Sequence, residues 1–368
     1  MIKKLFYTCN ILVLAALMAS CLACYIDPSV FWPLQFLGLA FPFIVLFAIL
    51  FLLISAGART FIFWVNLLAI ILSWPFIKTI VSLHSDREET PKAIKVMSYN
   101  VRNFDLYNWS GNKATRSDIM QLIRSEAPDI ICFQEYYTDD NEFKDTEYLR
   151  DSLGYAHHYM RITFDKDART EKARRSNHMQ WGLAIFSRYD LVDKGLVQLG
   201  QSNANQCMYA DLRIDGHLLR VYNTHLQSIH LGYDDYDTIE ELSENQSTSW
   251  HKLKNILRKM KRATAARAHQ ARTLQEAIAR YQGPKVLCGD FNDAPVSYTY
   301  HTISRGMQDA FVARGMGFGS SFATRLGVYR IDFMLTDPAI AIHSCRTIHR
   351  RLSDHYPIVT TLTLPAQP

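Results

Sequence analysis

The sequence predicts a layered α/β or α+β domain preceded by three membrane-spanning helices, and three observations carry that expectation. From Leu5 to about Leu83 the only charged groups are Asp27, Arg59 and Lys78, set among runs of Leu, Ile, Phe, Val and Ala. Beyond them, short apolar runs bounded by Pro or polar residues outnumber helical periodicities, yet two clear helical patterns are interspersed. Six short polar signatures each sit at or beside one of those runs, where a buried strand would deliver a side chain to the rim of a sheet.

Three stretches, near Leu5 to Ile26, Val30 to Ile54 and Thr60 to Val81, each reach the roughly 20 residues that cross a hydrocarbon core. A cleaved secretory signal is the alternative for the first, because Lys3 and Lys4 precede an apolar core and Met18-Ala19-Ser20-Cys21 faintly resembles a lipoprotein cleavage site. An h-region is usually shorter than this run, and two spans would remain in any case. Lys3 and Lys4 precede the first span, Asp27 lies in the first turn and Arg59 in the second. The positive-inside rule then puts the N-terminus in the cytoplasm, and an odd number of spans puts residues 86–368 outside it.

Residues 1–85 thus read as a multi-pass anchor in the cell membrane, 86–93 as a polar linker and 94–368 as a folded domain. Ile94 to Tyr99 starts that domain as a strand. Thr115 to Ala127 carries Ile119, Leu122 and Ile123 at helical spacing and is stopped by Pro128. Asp129 to Gln134 reads as a buried strand, and further strands are expected at Gly182 to Ser187, Leu218 to Asn223, Lys285 to Cys288, Arg330 to Leu335 and Ile358 to Leu364. Arg161 to Arg175 reads as a charged loop.

Residues 233–244 hold six acids, and the helix expected from Trp250 to Tyr281 holds nine bases against the single acid Glu276. Such a run is usually a solvated face. The sharper reading has Arg258, Lys259, Lys261 and Arg262 touching anionic lipid headgroups or a polyanionic substrate. The formal net charge of +5 misleads, since four bases against Asp27 leave +3 to residues 1–85 and only +2 to the rest. A whole-domain basic field of the kind expected of a nucleic-acid binder is absent. Seven cysteines form no disulfide framework: three lie in the first span, and Cys132 and Cys288 fall in strand-like runs as small buried hydrophobes.

The six signatures are Ser98-Tyr99-Asn100-Val101, Phe133-Gln134-Glu135, Asn223-Thr224-His225-Leu226, Gly289-Asp290-Phe291-Asn292, Ile331-Asp332-Phe333 and Ser353-Asp354-His355-Tyr356-Pro357. Any one of them is more often a turn or a cap; six in one order, each beside a strand, describe a divalent-metal site for a phosphate ester. Hydrolysing such an ester requires charge neutralisation, an oriented water and a proton for the leaving group. Glu135, Asp354, Asp290 and the amides of Asn100 and Asn292 offer hard oxygens, there is no Cys/His cluster with zinc spacing, and Mg2+ or Mn2+ suits such a set. His355 and His225 can move protons near neutrality. Asp354 directly precedes His355, and neighbours in an extended strand point opposite ways, so Asp332 is the better candidate to fix the His355 tautomer.

On these motifs residues 94–364 resemble the endonuclease/exonuclease/phosphatase superfamily, which includes deoxyribonucleases, abasic-site endonucleases, neutral sphingomyelinases and inositol-polyphosphate phosphatases. Trp181-Gly182-Leu183-Ala184-Ile185-Phe186-Ser187-Arg188 looks like the family's strand before its central loop. The resemblance implies a four-layer sandwich of two packed mixed β-sheets flanked by helices, with the active site at one end. It implies Glu135 as principal metal ligand with Asn100 beside it, Asp290 and Asn292 positioning the nucleophilic water and phosphate, and Asp332 orienting His355. His225 matches the branch with His rather than Tyr at that place. The anchor and the acidic-then-basic insertion depart from the family pattern, which bears on the substrate and not on the reaction type.

The expectation is therefore a membrane-anchored, Mg2+- or Mn2+-dependent phosphoesterase, with Asn100, Glu135 and Asp354 at the metal and His225, Asp290, Asn292, Asp332 and His355 in catalysis. Its partners would be the bilayer and a phosphodiester substrate, a nucleic acid or alternatively a lipid headgroup. The rival from another class is a scaffold that keeps the fold without the chemistry; such a chain would be expected to lack site residues, and none is missing.

Overall fold

In the computed structural model of the chain, the described residues are 1–57, 61–85, 93–139, 143–165, 179–200, 206–229, 250–324 and 327–365. The expected linker, Arg59 and the acidic run 233–244 therefore fall wholly or almost wholly outside them. Packing divides the chain into two units: Met1–Ile77 with Leu226–Arg272 and Asn292–Ile303, and Lys78–His225 with Thr273–Phe291 and Ser304–Pro368.

The first unit contains the helices α1 (Ile2–Leu22), α2 (Leu34–Ala56) and α3 (Phe61–Ile77). A helix that is apolar all round is at home either in a large core or in a bilayer. Here only 17% and 22% of the apolar windows of α1 and α2 are buried in protein, and Leu46, Phe47, Leu50, Leu53, Trp64, Leu68 and Leu72 face outward. α3 is shorter than the third span expected from the sequence: its helix ends at Ile77, two residues after Pro75, and its 17 residues sit at the lower limit for crossing a hydrocarbon core. Between α1 and α2 the chain turns through Asp27, whose carboxylate accepts from Ser29 N at 2.8 Å and caps the short helix Pro28–Phe31.

The second unit is a two-sheet sandwich. In chain order its strands are β1 (Ser82–Leu83), β2 (Ile94–Asn100), β3 (Ile130–Thr138), β4 (His157–Asp165), β5 (Gln180–Ser187), β6 (Asp190–Val197) and β7 (Gln206–Ile214). They continue as β8 (His217–His225), β9 (Lys285–Asp290), β10 (Gln308–Asp309), β11 (Met316–Gly317), β12 (Asp332–Thr336), β13 (Ala341–Thr347) and β14 (Ile358–Thr363). One sheet runs β10-β12-β9-β8-β7-β6 and the other β13-β14-β2-β3-β5-β4, while β1 and β11 pair separately. Both sheets are mixed, with parallel pairs β2/β3 and β8/β9.

Strand periodicity divides the apolar residues between two cores. Val96, Ile130, Cys132 and Ile185 meet Met208, Ala210, Val221, Val286, Cys288 and Met334 between the sheets. Met97, Tyr99, Ile131 and Phe133 point the other way and pack with Ile119, Met120 and Ile123 of helix α4 (Thr115–Glu126). A buried amide pair crosses between the sheets: Gln134 Nε2 donates to Asn223 Oδ1 at 2.7 Å, and Asn223 Nδ2 donates to the carbonyls of Phe133 (2.8 Å) and Ala184 (3.0 Å). The described cysteines are all free thiols.

One expectation changes. Arg161 to Asp165 belongs to β4, with Arg161 Nε donating to Gln206 Oε1 at 2.9 Å, and the rest of the stretch expected as a charged loop lies outside the described residues. The basic helix is α5 (Trp250–Arg280).

Candidate active site

The parallel pairs β2/β3 and β8/β9 bring four signatures to their C-terminal ends, where open α/β sheets gather polar side chains. Asn100 ends β2, His225 ends β8 and Asp290 ends β9, His225 standing opposite Asp290 in register. Asp332 opens β12 and also stands opposite Asp290, across the antiparallel pair. Glu135 sits at the irregularity in the β3/β5 pairing between Phe133 and Tyr136, with a left-handed φ of 50°. A bulge of this kind re-aims one side chain out of the strand's alternation, and here it redirects a carboxylate.

The resulting cluster is tight. Asn100 Nδ2 donates to Asp290 Oδ2 (3.2 Å) and Glu135 Oε1 (3.4 Å). His225 Nε2 lies 3.6 Å from Asp290 Oδ2 and 3.9 Å from Glu135 Oε1. His355 Nδ1 meets Asp332 Oδ2 at 2.8 Å, and its Nε2 lies 3.7 Å from Asp290 Oδ2. Ser321 Oγ accepts from the backbone N–H of both Ile331 and Asp332 at 2.9 Å, fixing the start of β12, and Phe322 forms a β-bridge with His355.

Burial would push the His355 pKa down, but the carboxylates of Asp332, then Asp290, outweigh it and hold the imidazole up at about 10. Burial likewise raises Asp332, with the His355 charge opposing. Both shifts favour retention of a proton within the pair, and His355 Nε2 stands 3.7 Å from Asp290 Oδ2.

The donor set suits a hard divalent cation. Glu135 and Asp290 present carboxylate oxygens that one amide group reaches together, and Glu135 keeps about a third of its side chain open to solvent, which leaves an entry. Asp290, Asp332 and His355 also bring ligand atoms within 4.8 Å of one another, but Asp332 is already engaged by the imidazole, so the Glu135 side is the better seat for an ion.

Asn100 and Asp354 are the other two residues expected as ligands. Asn100 Nδ2 reaches the carboxylates, and its Oδ1 accepts from Arg102 N at 3.1 Å. Asp354 pairs with Arg102 Nε at 3.3 Å and accepts from Ser353 Oγ at 3.1 Å; among the described residues it makes no hydrogen bond or ion pair with Glu135. Arg102 was not expected at the site. It opens four consecutive left-handed residues, Arg102 to Asp105 with φ of 44°, 54°, 52° and 59°. Each costs about 1–2 kcal/mol. The turn is pinned by Phe104, which is buried against Phe133 and Tyr136, and by Asp105, which accepts from Ser110 N at 3.1 Å. Arg102 also lies over the Trp109 ring at 4.3 Å. Arg102, Asp105 and Trp109 line, with Arg351 and Ser353, an open cavity of about 340 Å³ beside Asp354. No glycine announces this turn, so only its adjacency to Asn100 could have drawn notice to Arg102.

Asn292 belongs to the first unit. It takes a left-handed φ of 53°, its Nδ2 donates to Leu226 O at 3.0 Å, and the next residue, Asp293, accepts from Arg267 Nε (3.1 Å) and Thr299 Oγ1 (2.8 Å). Arg267 Nη1 and Gln270 in turn hold Gln227 through its O (2.9 Å) and N (2.9 Å). Of the basic quartet on α5, Arg258, Lys261 and Arg262 are exposed and Lys259 is half-buried.

A family model described as "Endonuclease/Exonuclease/phosphatase family" matches residues 97–355, and one described as a domain of unknown function (DUF8431) matches residues 3–80. No curated protein matches. Among solved structures, an endonuclease/exonuclease/phosphatase from Beutenbergia cavernae is 20% identical with a TM-score of 0.53, covering 75% of this chain and 73% of that one. One from Bacteroides vulgatus is 19% identical with a TM-score of 0.53, covering 75% and 100%. The human Nocturnin catalytic domain with bound sulfate anion is 20% identical with a TM-score of 0.50, covering 74% and 93%.

Proposed function

The chain belongs to the endonuclease/exonuclease/phosphatase family of phosphoester hydrolases, and from that premise we propose that it is a membrane-anchored, Mg2+- or Mn2+-dependent enzyme hydrolysing phosphodiester bonds outside the cytoplasm. The observation that carries the reading is the convergence of Glu135, Asp290, His225 and the Asp332–His355 pair at one end of the sandwich. A divalent ion at Glu135 and Asp290 would supply charge neutralisation for the phosphate. His355 Nε2, when protonated, would donate to a phosphate oxygen, and Asp332, accepting from Nδ1–H, holds the ring in place and favours its charged form. Asp290 and Asn292 are assigned to orient the attacking water, and His225 to exchange a proton with the reacting oxygens. The cavity between Arg102 and Arg351 offers room for the remainder of the substrate.

The anchor reading is supported by α1 and α2, which are long, apolar and outward-facing. Its sidedness is supported by an ion pair between Asp27, in the turn after α1, and Arg272 of α5. Two groups in contact lie on one side of a membrane, so the chain crosses an even number of times between them. α2 and α3 supply two crossings, which agrees with Lys3 and Lys4 inside and the catalytic residues outside.

The test is a panel of DNA, RNA, sphingomyelin, phosphatidylinositol phosphates and a chromogenic phosphodiester, offered to the full chain with and without Mg2+. Metal-dependent turnover of at least one is expected; inertness toward all of them would overturn the reading.

A further inference from the structure

Within the first unit, one buried guanidinium grips the chain on both sides of a hydrogen bond made by Asn292, whose Nδ2 donates to Leu226 O at 3.0 Å. The residues next in sequence to those two are Asp293 and Gln227. Arg267 of α5 reaches both: its Nε donates to Asp293 Oδ2 at 3.1 Å and its Nη1 to Gln227 O at 2.9 Å. Gln270, three residues further along α5, accepts from Gln227 N at 2.9 Å, so one helix face holds residue 227 through its N–H and its carbonyl. Thr299 Oγ1 donates to the same Asp293 oxygen at 2.8 Å. The chain between Asp293 and Thr299 is seated on α2, where Gly38 faces the Val296 carbonyl so closely that a Cβ would collide with its oxygen, and where Gln35 Oε1 accepts from Tyr298 N at 3.4 Å.

As a device for stability alone this arrangement is poor. The Arg267 side chain is 3% exposed and that of Asp293 12%, and taking two charges out of water offsets most of what their attraction returns. Asn292 adds backbone strain, since its φ of 53° is left-handed, and such conformations persist where the surroundings over-determine them. What the network does supply is a fixed distance. A guanidinium is a planar fork whose N–H directions are rigidly related, so bonding Gln227 and Asp293 at once sets the separation of the segments that carry Leu226 and Asn292. With that separation set, the bond to Leu226 fixes the plane of the Asn292 amide and with it the direction of Oδ1. A lysine ammonium, a point donor on a flexible stem, imposes no such relation.

We propose that Arg267 is a positioning residue for Asn292: by holding Gln227 and Asp293 in one fork it aims the Asn292 amide at the attacking water. The inference rests on the phosphoesterase reading above, which assigns Asn292 to that water. Arg267 acts through Asn292 and not on the phosphate, so its removal is felt in the chemical step more than in substrate binding. A misplacement of about 1 Å is enough to cost a rate up to ~10²-fold.

The experiment assays the full chain in detergent with Mg2+ on bis(p-nitrophenyl) phosphate, or on the panel member hydrolysed fastest where this ester is not cleaved. Arg267→Met should lower kcat about ten-fold or more and shift KM by less than about two-fold. Arg267→Lys should behave like Arg267→Met, because the charge is kept and the fork is lost. Asn292→Gly, which keeps the left-handed turn and removes the amide, should also lower kcat. In that background Arg267→Met should cost no more than about two-fold further, whereas a merely structural role would cost the same in both. If Arg267→Met does not melt cooperatively, Gln270→Ala, which removes a bond to Gln227, gives the same comparison of backgrounds. Equal losses in the two backgrounds, a loss carried by KM alone, or wild-type kcat in Arg267→Met, Arg267→Lys or Asn292→Gly overturns this inference and leaves the phosphoesterase reading standing. A wild-type chain inert toward the ester and the whole panel overturns both.

Discussion

Asp332 Oδ2 and His355 Nδ1 lie 2.8 Å apart, both nearly inaccessible to water, although they come from separate elements 23 residues apart. The contact leaves His355 Nε2 as the imidazole's working face. His355→Ala should lower kcat by on the order of 10³-fold, since charge stabilisation and proton transfer go together. Asp332→Asn keeps the shape and should cost less. If the two residues act as a unit, the double variant will be scarcely slower than His355→Ala alone. Strictly additive losses in single-turnover kinetics would separate their roles.

Chelation offers the second check. EDTA should abolish turnover, and Mg2+ or Mn2+ should restore it. Glu135→Gln should raise the metal concentration needed for half-maximal rate by about 10-fold or more, because a charged oxygen is replaced by a neutral one. Full activity in EDTA would count against the cation.

The anchor topology predicts the behaviour of reporters. Alkaline phosphatase fused after Pro368 should be active in whole cells, and a fluorescent protein that matures only in the cytoplasm should stay dark there. The reverse pattern would mean that α3 does not cross.

Charge on α5 supplies a fourth. Replacing Arg258, Lys259, Lys261 and Arg262 by Gln should flatten any rise in activity as anionic lipid is added to vesicles, and the wild-type rise should itself shrink with salt. An unchanged response would assign this face to solvent alone.

Asp145 provides a pH test away from the catalytic residues. Arg116 Nε and Nη2 hold its carboxylate at 2.9 and 2.7 Å, yet burial dominates and lifts its pKa from 3.8 to about 6. A raised folded-state value stabilises below the unfolded one, and that stability is lost as pH rises through the folded one. Its contribution should therefore fade between about pH 4 and 6, by on the order of 2–3 kcal/mol. Thermal melts of Asp145→Asn should lack that decline.

Strands buried on both faces were legible because their sequences are continuous apolar runs: Ile94 to Tyr99 and Lys285 to Cys288 each lie within observed strands. β6, with exposed Asp190, Val192, Asp193 and Lys194, carries no such run and could not be read. The pairing of Asp332 with His355 was anticipated from strand alternation. The turning of Asp354 toward Arg102 was not, because it depends on a left-handed path that no local residue choice signals. The docking of residues 292–303 against α2 was equally invisible, since Gly38 in an apolar helix reads as one more small residue.

The amide pair Gln134–Asn223 gives the two sheets a way to reject misalignment. Each amide immediately precedes site residues, Glu135 after Gln134 and Thr224-His225 after Asn223, so the bond that matches the amides also matches the chemistry. If either strand slid by one residue, two amides would be stranded in a dry interior, at about 1–3 kcal/mol for each polar group left unmet. Assembly of this sandwich is thus proofread at the position where an error would scatter Glu135 and His225, and a transplant of the site into another scaffold would have to carry that checkpoint along with the catalytic groups.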